Sequence, residues 1–163
     1  MISRLVTLAV CRIRLLANKK LMDIDVYELT RCDEAVYGQM QALMRTLSTR
    51  CVFSKEQLKA VIDDDNSVLL VASEGGRIVG CATLCVFHSP TGTKASVEDV
   101  VVDEENQGRG IGRALMECVL ERARSFAPIE LHLTSRPARV AANALYRSLG
   151  FVRKETNAYA LSL

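Results

Sequence analysis

"DVVVDEENQGRGIGRAL", residues 99 to 115, runs from an apolar stretch through acidic residues into glycines at 108, 110 and 112. Upstream, "TKASVEDVVVD" follows the turn-forming "SPTG" and reads as a strand ending near Val102. Downstream, Ile111, Leu115, Cys118, Val119 and Arg122 recur at helical spacing, which predicts an amphipathic helix from about Gly110 to Phe126. Pro128 then precedes "IELHLTS", where Ile129, Leu131 and Leu133 alternate with polar neighbours as a half-buried strand requires. Residues 95 to 134 therefore read as strand, helix, strand. A right-handed parallel crossover is the expected geometry for such a unit.

The flanking sequence fits the same architecture. "DIDVYEL" from Asp23 alternates as a first strand, and Val36, Met40, Leu43, Met44 and Leu47 mark a helix. Ser54 is placed to cap a second helix over "SKEQLKAVIDD". "SVLLVAS" and "RIVGCATLCVF" flank "EGGR", a hairpin signal. A last helix over 138–149 stops at Gly150, and "FVRKETNAYALSL" is expected to supply one or two closing strands. The order describes a mixed α/β (α+β) domain.

Composition bounds the function. A chain of 163 residues is sufficient for one domain with a full core, and 49% hydrophobic with 25% charged residues is ordinary for a soluble globular protein. Five of the 21 basic residues (Arg4, Arg12, Arg14, Lys19, Lys20) fall in residues 1–22, which contain no acid. The other 141 residues thus carry 16 basic and 19 acidic groups, a net −3. No basic face for nucleic acid is expected of such a body. Residues 1–22 read as an N-terminal extension, an upstream start or a transit-like segment, with the domain spanning 23–163. The extension is too short and too interrupted by charge to span a membrane. The expected setting is cytoplasmic, with the six cysteines reduced and serving as small core residues. With two histidines, His88 and His132, and no CxxC pair, no metal site is expected.

The glycine loop carries the chemistry. Amides at a helix N-terminus lack intrahelical acceptors, and their partial positive charge attracts anions. Glycines at 108, 110 and 112 allow a phosphate to approach those amides closely; the competing reading is a tight turn with close helix packing. A triphosphate loop requires a Lys followed by Ser or Thr, and none is present. The dinucleotide fingerprint requires a third small residue where the chain has Arg113 or Leu115.

What matches is Q-x-x-G-x-G, at Gln107, Gly110 and Gly112, between a strand and an amphipathic helix. Here the chain resembles the GNAT superfamily of acyl-CoA N-acyltransferases, whose pyrophosphate-binding motif has this form. "AANALYRSLGF", residues 141 to 151, is similar to the family's second signature, with a tyrosine four residues before Gly-Phe. The resemblance spans residues 95–151. It implies a central twisted mixed sheet of six to seven strands with about four helices and a splayed parallel pair around the acyl-CoA site. It also implies acetyl-CoA as cosubstrate, a small-molecule amine as acceptor and, as in many similar proteins, a homodimer.

Carried over residue by residue, the resemblance implies that Val100, Val101 and Val102 present backbone groups to the pantetheine arm and thioester. Gln107, Gly108, Arg109, Gly110, Ile111, Gly112 and Arg113 would wrap the pyrophosphate. Arg109 and Arg113 either add charge there or are only solvated. Tyr146 matches the family's general acid, and an ordinary phenol, with a pKa of about 10, is protonated at neutral pH. Asn143 lies one turn earlier and is positioned to bond the pantetheine. The family's usual asparagine sits seven residues before the tyrosine, where this chain has Arg139. Glu98 and Asp99 are adjacent strand positions expected to face opposite ways, and Glu98 is the expected acceptor of the amine proton, through water. His132, mid-strand, is expected to be packed or surface. Two alternatives stand beside a small-molecule transferase: a protein or peptide N-terminal acetyltransferase, and a noncatalytic CoA-binding regulatory module.

Overall fold

The computed structural model describes residues 11–17, 20–47 and 52–162, with side chains from Asp23 onward. Among these residues six strands form one sheet in the order β1 to β6: β1 (Cys11–Ala17), β2 (Lys20–Glu28), β3 (Ser67–Glu74), β4 (Arg77–Ser89), β5 (Gly92–Val102) and β6 (Glu130–Leu133). Helices α1 (Glu34–Leu47) and α2 (Lys55–Asp63) connect β2 to β3, and α3 (Ile111–Arg124) connects β5 to β6. α4 (Val140–Ser148) follows β6. Neighbouring strands are antiparallel except β5 and β6, which are parallel, as the strand–helix–strand reading requires. The chain divides into two compact units, Met1–Leu133 with the sheet and α1 to α3, and Thr134–Leu163 with α4.

Local chemistry accounts for the elements. The Asp33 carboxylate accepts from the Val36 N–H at 2.8 Å and Ser54 Oγ from the Gln57 N–H at 3.1 Å, capping α1 and α2. Gly75 and Gly76, at φ of 57° and 83°, are the two left-handed residues that a tight β3–β4 hairpin requires. Residues 11–17, which the sequence places in the extension, run as β1 against β2, from Cys11 opposite Val26 to Ala17 opposite Lys20.

The central strands are buried on both faces. Leu69 and Val71 of β3 and Cys81 of β4 join Met40, Leu43, Met44, Leu58 and Ile62 of α1 and α2 in one apolar cluster. Gly80, next to Cys81 and so on the opposite face, lies under α3: a Cβ there would meet Leu115 Cδ1 at 3.1 Å. Helices therefore cover both sides, and β3 and β4 read as continuous apolar runs rather than alternating ones. Cys32, Cys81, Cys85 and Cys118 are thiols; burial pushes the Cys81 thiol well above its ordinary range. The side chains of Cys11 and Cys51 lie outside the described residues.

One expectation fails. Residues 151–162 contain no strand. A strand persists by pairing its edges and burying a face, yet Val152, Tyr159 and Leu161 are almost fully exposed. The apolar residues of the tail thus bury no face of a sheet. Among the described residues no helix is long and apolar enough to cross a membrane.

The α3 contact makes Gly80 a sensitive position, since the same Cβ would also meet Val101 O at 3.0 Å and Val102 Cγ2 at 3.3 Å. Gly80→Val should lower stability by about 1–3 kcal/mol through overpacking, read as a fall in the thermal melting midpoint. An unchanged midpoint would show that α3 is not tightly seated here.

Candidate active site

β5 is where the sheet opens. Its pairing with β6 covers only Lys94–Val97, opposite Glu130–Leu133, while β5 continues to Val102 along β4. In the β4 register Thr83 faces Glu98 but Cys81 faces Val101, so three steps on β5 match two on β4. The extra residue is absorbed at Asp99, whose φ of 51° is left-handed and uncommon outside glycine. The Asp99 carbonyl accepts from the Cys81 thiol at 3.5 Å. Beyond Val97 the β6-facing edge of β5 has no strand partner among the described residues.

The bulge falls at the two carboxylates expected to face opposite ways. Strict alternation would send Glu98 and Asp99 to opposite faces, but a left-handed residue breaks alternation. Both side chains are exposed. Val101 is buried in the cluster of α1 and α2, whereas Val100 and Val102 are half-buried.

The loop from Asp103 to Gly110 follows directly. A single 3-10 turn, Glu104–Asn106, leads to Gln107, whose Nε2 donates to Val102 O at 3.1 Å and ties the loop to the end of β5. Gly108 and Gly110 have φ of 72° and 84°, and Gly110 is the N-cap of α3. The first bond back into the helix runs from the Ala114 N–H to Gly110 O at 3.0 Å, so the amides of Ile111, Gly112 and Arg113 precede the ladder. No acidic side chain lies in the first turn of α3. Such a helix start attracts an anion.

Arg109 has a different side-chain role from the one its charge suggests. Its Nη2 contacts both oxygens of Glu74, at 3.0 and 2.9 Å, and its Nη1 donates to Asn106 Oδ1, with 16% of the side chain exposed. Asn106 is buried and its Nδ2 lies 3.4 Å from Asp103 Oδ2, which Arg77 Nη2 holds at 2.6 Å. Glu74 and Arg77 flank the β3–β4 turn. The glycine loop is therefore clamped to that hairpin by charged groups 26 and 35 residues away in sequence. Arg113 reaches Glu117 at 3.6 Å on the exposed face of α3, a pair of little energetic weight.

The unit Thr134–Leu163 carries the second signature. α4 ends in Gly150 at φ 92°, with the Gly150 N–H bonded to Arg147 O and the Phe151 N–H to Tyr146 O, both 3.1 Å. These are the paired bonds of a Schellman cap, and its usual apolar contact is here Phe151 edge-on to Tyr146, centroids 6.1 Å apart. The Tyr-x-x-x-Gly-Phe spacing is thus a helix stop that also fixes the tyrosine ring. Burial pushes the Tyr146 phenol above its ordinary range, with Arg139 drawing it partly back. Asn143 Nδ2 donates to Arg136 O and Arg139 O, both 2.9 Å. It pins the turn before α4 with both of its amide hydrogens, which leaves only acceptor capacity for a ligand. His132 is a partly exposed strand residue 3.3 Å from Glu130 Oε2.

The profile of the acetyltransferase (GNAT) family matches residues 32–151. The chain belongs to that family. It is similar to an aminoglycoside N(6')-acetyltransferase type 1 of Stenotrophomonas maltophilia, 32% identical over 110 residues, 64% of this chain and 72% of the relative. An N-alpha-acetyltransferase RimI of Mycobacterium tuberculosis is 39% identical over 82 residues, half of each chain. The chain thus spans only about half the length of the mycobacterial relative. The fold is shared with aminoglycoside N-acetyltransferase AAC(6')-Iy, solved in complex with CoA, at a TM-score of 0.71 and 14% identity over 85% of this chain and 94% of that one.

For a GNAT chain, the residues that the resemblance selects fall into two groups. Glu98, the three valines and Gln107 to Arg113 share one continuous strand, loop and helix start. Asn143 and Tyr146 belong to the other compact unit. The partners of Arg109 carry no signal in the sequence, because Glu74 is brought close only by the hairpin. Arg109→Ala and Glu74→Ala should each destabilise the protein, and a double-mutant cycle should give a coupling of about 1 kcal/mol. Strict additivity in denaturant melts would mean that the clamp contributes nothing.

Proposed function

We propose that the protein transfers the acetyl group of acetyl-CoA to a primary amine of a small molecule, by direct attack with both substrates bound. The observation that carries this reading is the glycine-capped start of α3 placed at the end of a bulged strand whose β6-facing edge has lost its partner. The helix start suits the pyrophosphate, and the opened edge of β5 suits an extended arm that bonds to backbone in the manner of a strand.

In this proposal the backbone of Gln107 to Arg113 holds the donor, and Val100 to Val102 align its pantetheine arm. Glu98, exposed at the bulge, takes the proton of the attacking amine through water. The nitrogen forms its bond to the thioester carbonyl carbon, the carbon–sulfur bond breaks, and Tyr146 gives its proton to the departing thiolate. A raised phenol pKa keeps Tyr146 protonated, and hence competent as an acid, across neutral and mildly alkaline pH. A protein or peptide N-terminal amine is the second reading, favoured by the likeness to RimI.

Acetyl-CoA at millimolar concentration should raise the melting midpoint; the absence of a shift would count against donor binding. Thiol release measured over a panel of small amines and peptides would separate the two acceptor classes, and no release with any of them would favour a CoA-binding module without transferase activity. Tyr146→Phe should lower kcat by about 10²–10⁴-fold while changing donor affinity much less. In the wild type no loss of turnover attributable to Tyr146 should occur below pH about 10, because the folded phenol titrates above its ordinary value. An alkaline fall that persists unchanged in Tyr146→Phe would assign it to another group.

A further inference from the structure

The proposed transfer has a proton balance that Glu98 alone does not complete. An alkylamine, with a pKa of about 10, arrives at neutral pH as an ammonium ion and becomes an amide by losing two protons. One must leave before attack, because an ammonium nitrogen has no lone pair. The other leaves as the bond to carbon forms. The proton gained by the departing thiolate balances only one of them, so a second has to be carried away to solvent.

The sheet places a group for that task. Ser67, Cys85, Ser96 and His132 are successive partners on β3, β4, β5 and β6, so their side chains share one face. Glu98, two residues past Ser96 and before the bulge, shares that face. The four residues of the row are half-buried, whereas Leu84, Ala95 and Val97 on the opposite face, the side of α3, are buried. An amine therefore reaches the end of the β5–β6 pairing from the face of His132 and Glu98. That pairing ends at Val97 opposite Leu133, one residue beyond His132, where the unpartnered edge of β5 begins. The surroundings suit a cation: the Cys85 thiol is raised first by its burial and further by the charges of Glu98, Asp64 and Asp99.

His132 is also oriented. Its Nε2 lies 3.3 Å from Glu130 Oε2, two residues back on the same face of β6. An N–H at Nε2 donated to that carboxylate leaves Nδ1 as the accepting nitrogen of the neutral ring. With 39% of its side chain exposed, the ring can return a proton to solvent after each turnover. We propose that His132, oriented by Glu130, is a second base of the reaction: it removes the first proton of the arriving ammonium, and Glu98 receives the one released as the carbon–nitrogen bond forms. The inference rests on the acetyltransferase reading. The charged groups around the ring are Glu130 on its own strand, Lys94 opposite Glu130 and Glu98 on β5, and Asp64, bonded to Ser67 at the far end of the row.

The test compares the full-length wild type with His132→Gln, which keeps a donor for Glu130 but no base, and with Glu130→Gln, which removes the orienting charge. Both side chains are partly exposed, so folding should survive, and Glu130→Gln carries the test independently. The acceptors are the best alkylamine of the wild type and its analogue fluorinated beside the nitrogen, which is unprotonated at neutral pH. At pH 7 the kcat/KM of His132→Gln should fall about 10²-fold with the alkylamine and little with the fluorinated amine, which arrives without the first proton. The deficit with the alkylamine should shrink as the pH rises toward the pKa of that amine. Glu130→Gln should show the same pattern with a smaller loss. The rise in melting midpoint with acetyl-CoA should be equal in all three proteins. Rates equal to wild type with both amines would overturn the role of His132. So would a deficit of one size with both amines at every pH, because a displaced β6 slows both alike. A wild type that neither binds acetyl-CoA nor releases thiol would instead overturn the acetyltransferase reading, and this inference with it.

Discussion

One extra residue in β5 is the constraint on which the candidate site depends. β5 must follow β4 to its end, and the bulge at Asp99 lets it do so while changing direction. Its partnership with β6 ends at Val97. A straight, fully paired β5 would have its hydrogen-bonding edges occupied on both sides and would offer nothing to an extended ligand. The left-handed backbone at Asp99 costs energy at a non-glycine residue, and the dense packing of Val101, Cys81 and the α1 and α2 side chains holds it in place.

The glycine loop follows from that bend. It has to turn from the end of β5 into α3 within eight residues, Asp103 to Gly110, and uses left-handed glycines at 108 and 110 to do so. Gln107 bonded to Val102 O and Arg109 bonded to Glu74 fasten the two ends of the turn. A motif that looks like a positively charged anion clamp is thus assembled differently. The amides of Ile111, Gly112 and Arg113 precede the hydrogen-bond ladder of α3, and the Arg109 side chain is committed to holding the loop against the β3–β4 hairpin.

The second unit shows a similar division of labour. Tyr146 and Phe151 close α4 through a Schellman cap, so the residue proposed as proton donor is also held by the element that stops the helix. Asn143 spends its donors on the turn that carries Arg136 and Arg139. Where the family's common pattern has an asparagine, Arg139 introduces a positive charge beside a phenol. This is the chain's clearest departure from the pattern it otherwise follows.

Much of the architecture was legible in the residues themselves. Helical spacing in α1 and α3, the Ser54 cap, the Gly-Gly hairpin and the glycine-rich start of α3 are all local, set by side-chain periodicity and backbone sterics within a few positions. The sequence by itself determined the strand–helix–strand unit, the anion-attracting helix start and the helix stop at Gly150. Only the tertiary structure decided the bulge at Asp99, the pairing of Arg109 with Glu74, the joining of residues 11–17 to the sheet and the absence of a closing strand in residues 151–162. Each of these depends on which distant backbone or charge comes alongside. Alternation along one strand cannot show where its neighbour stops pairing, and a carboxylate 35 residues away becomes a partner only after the hairpin has closed.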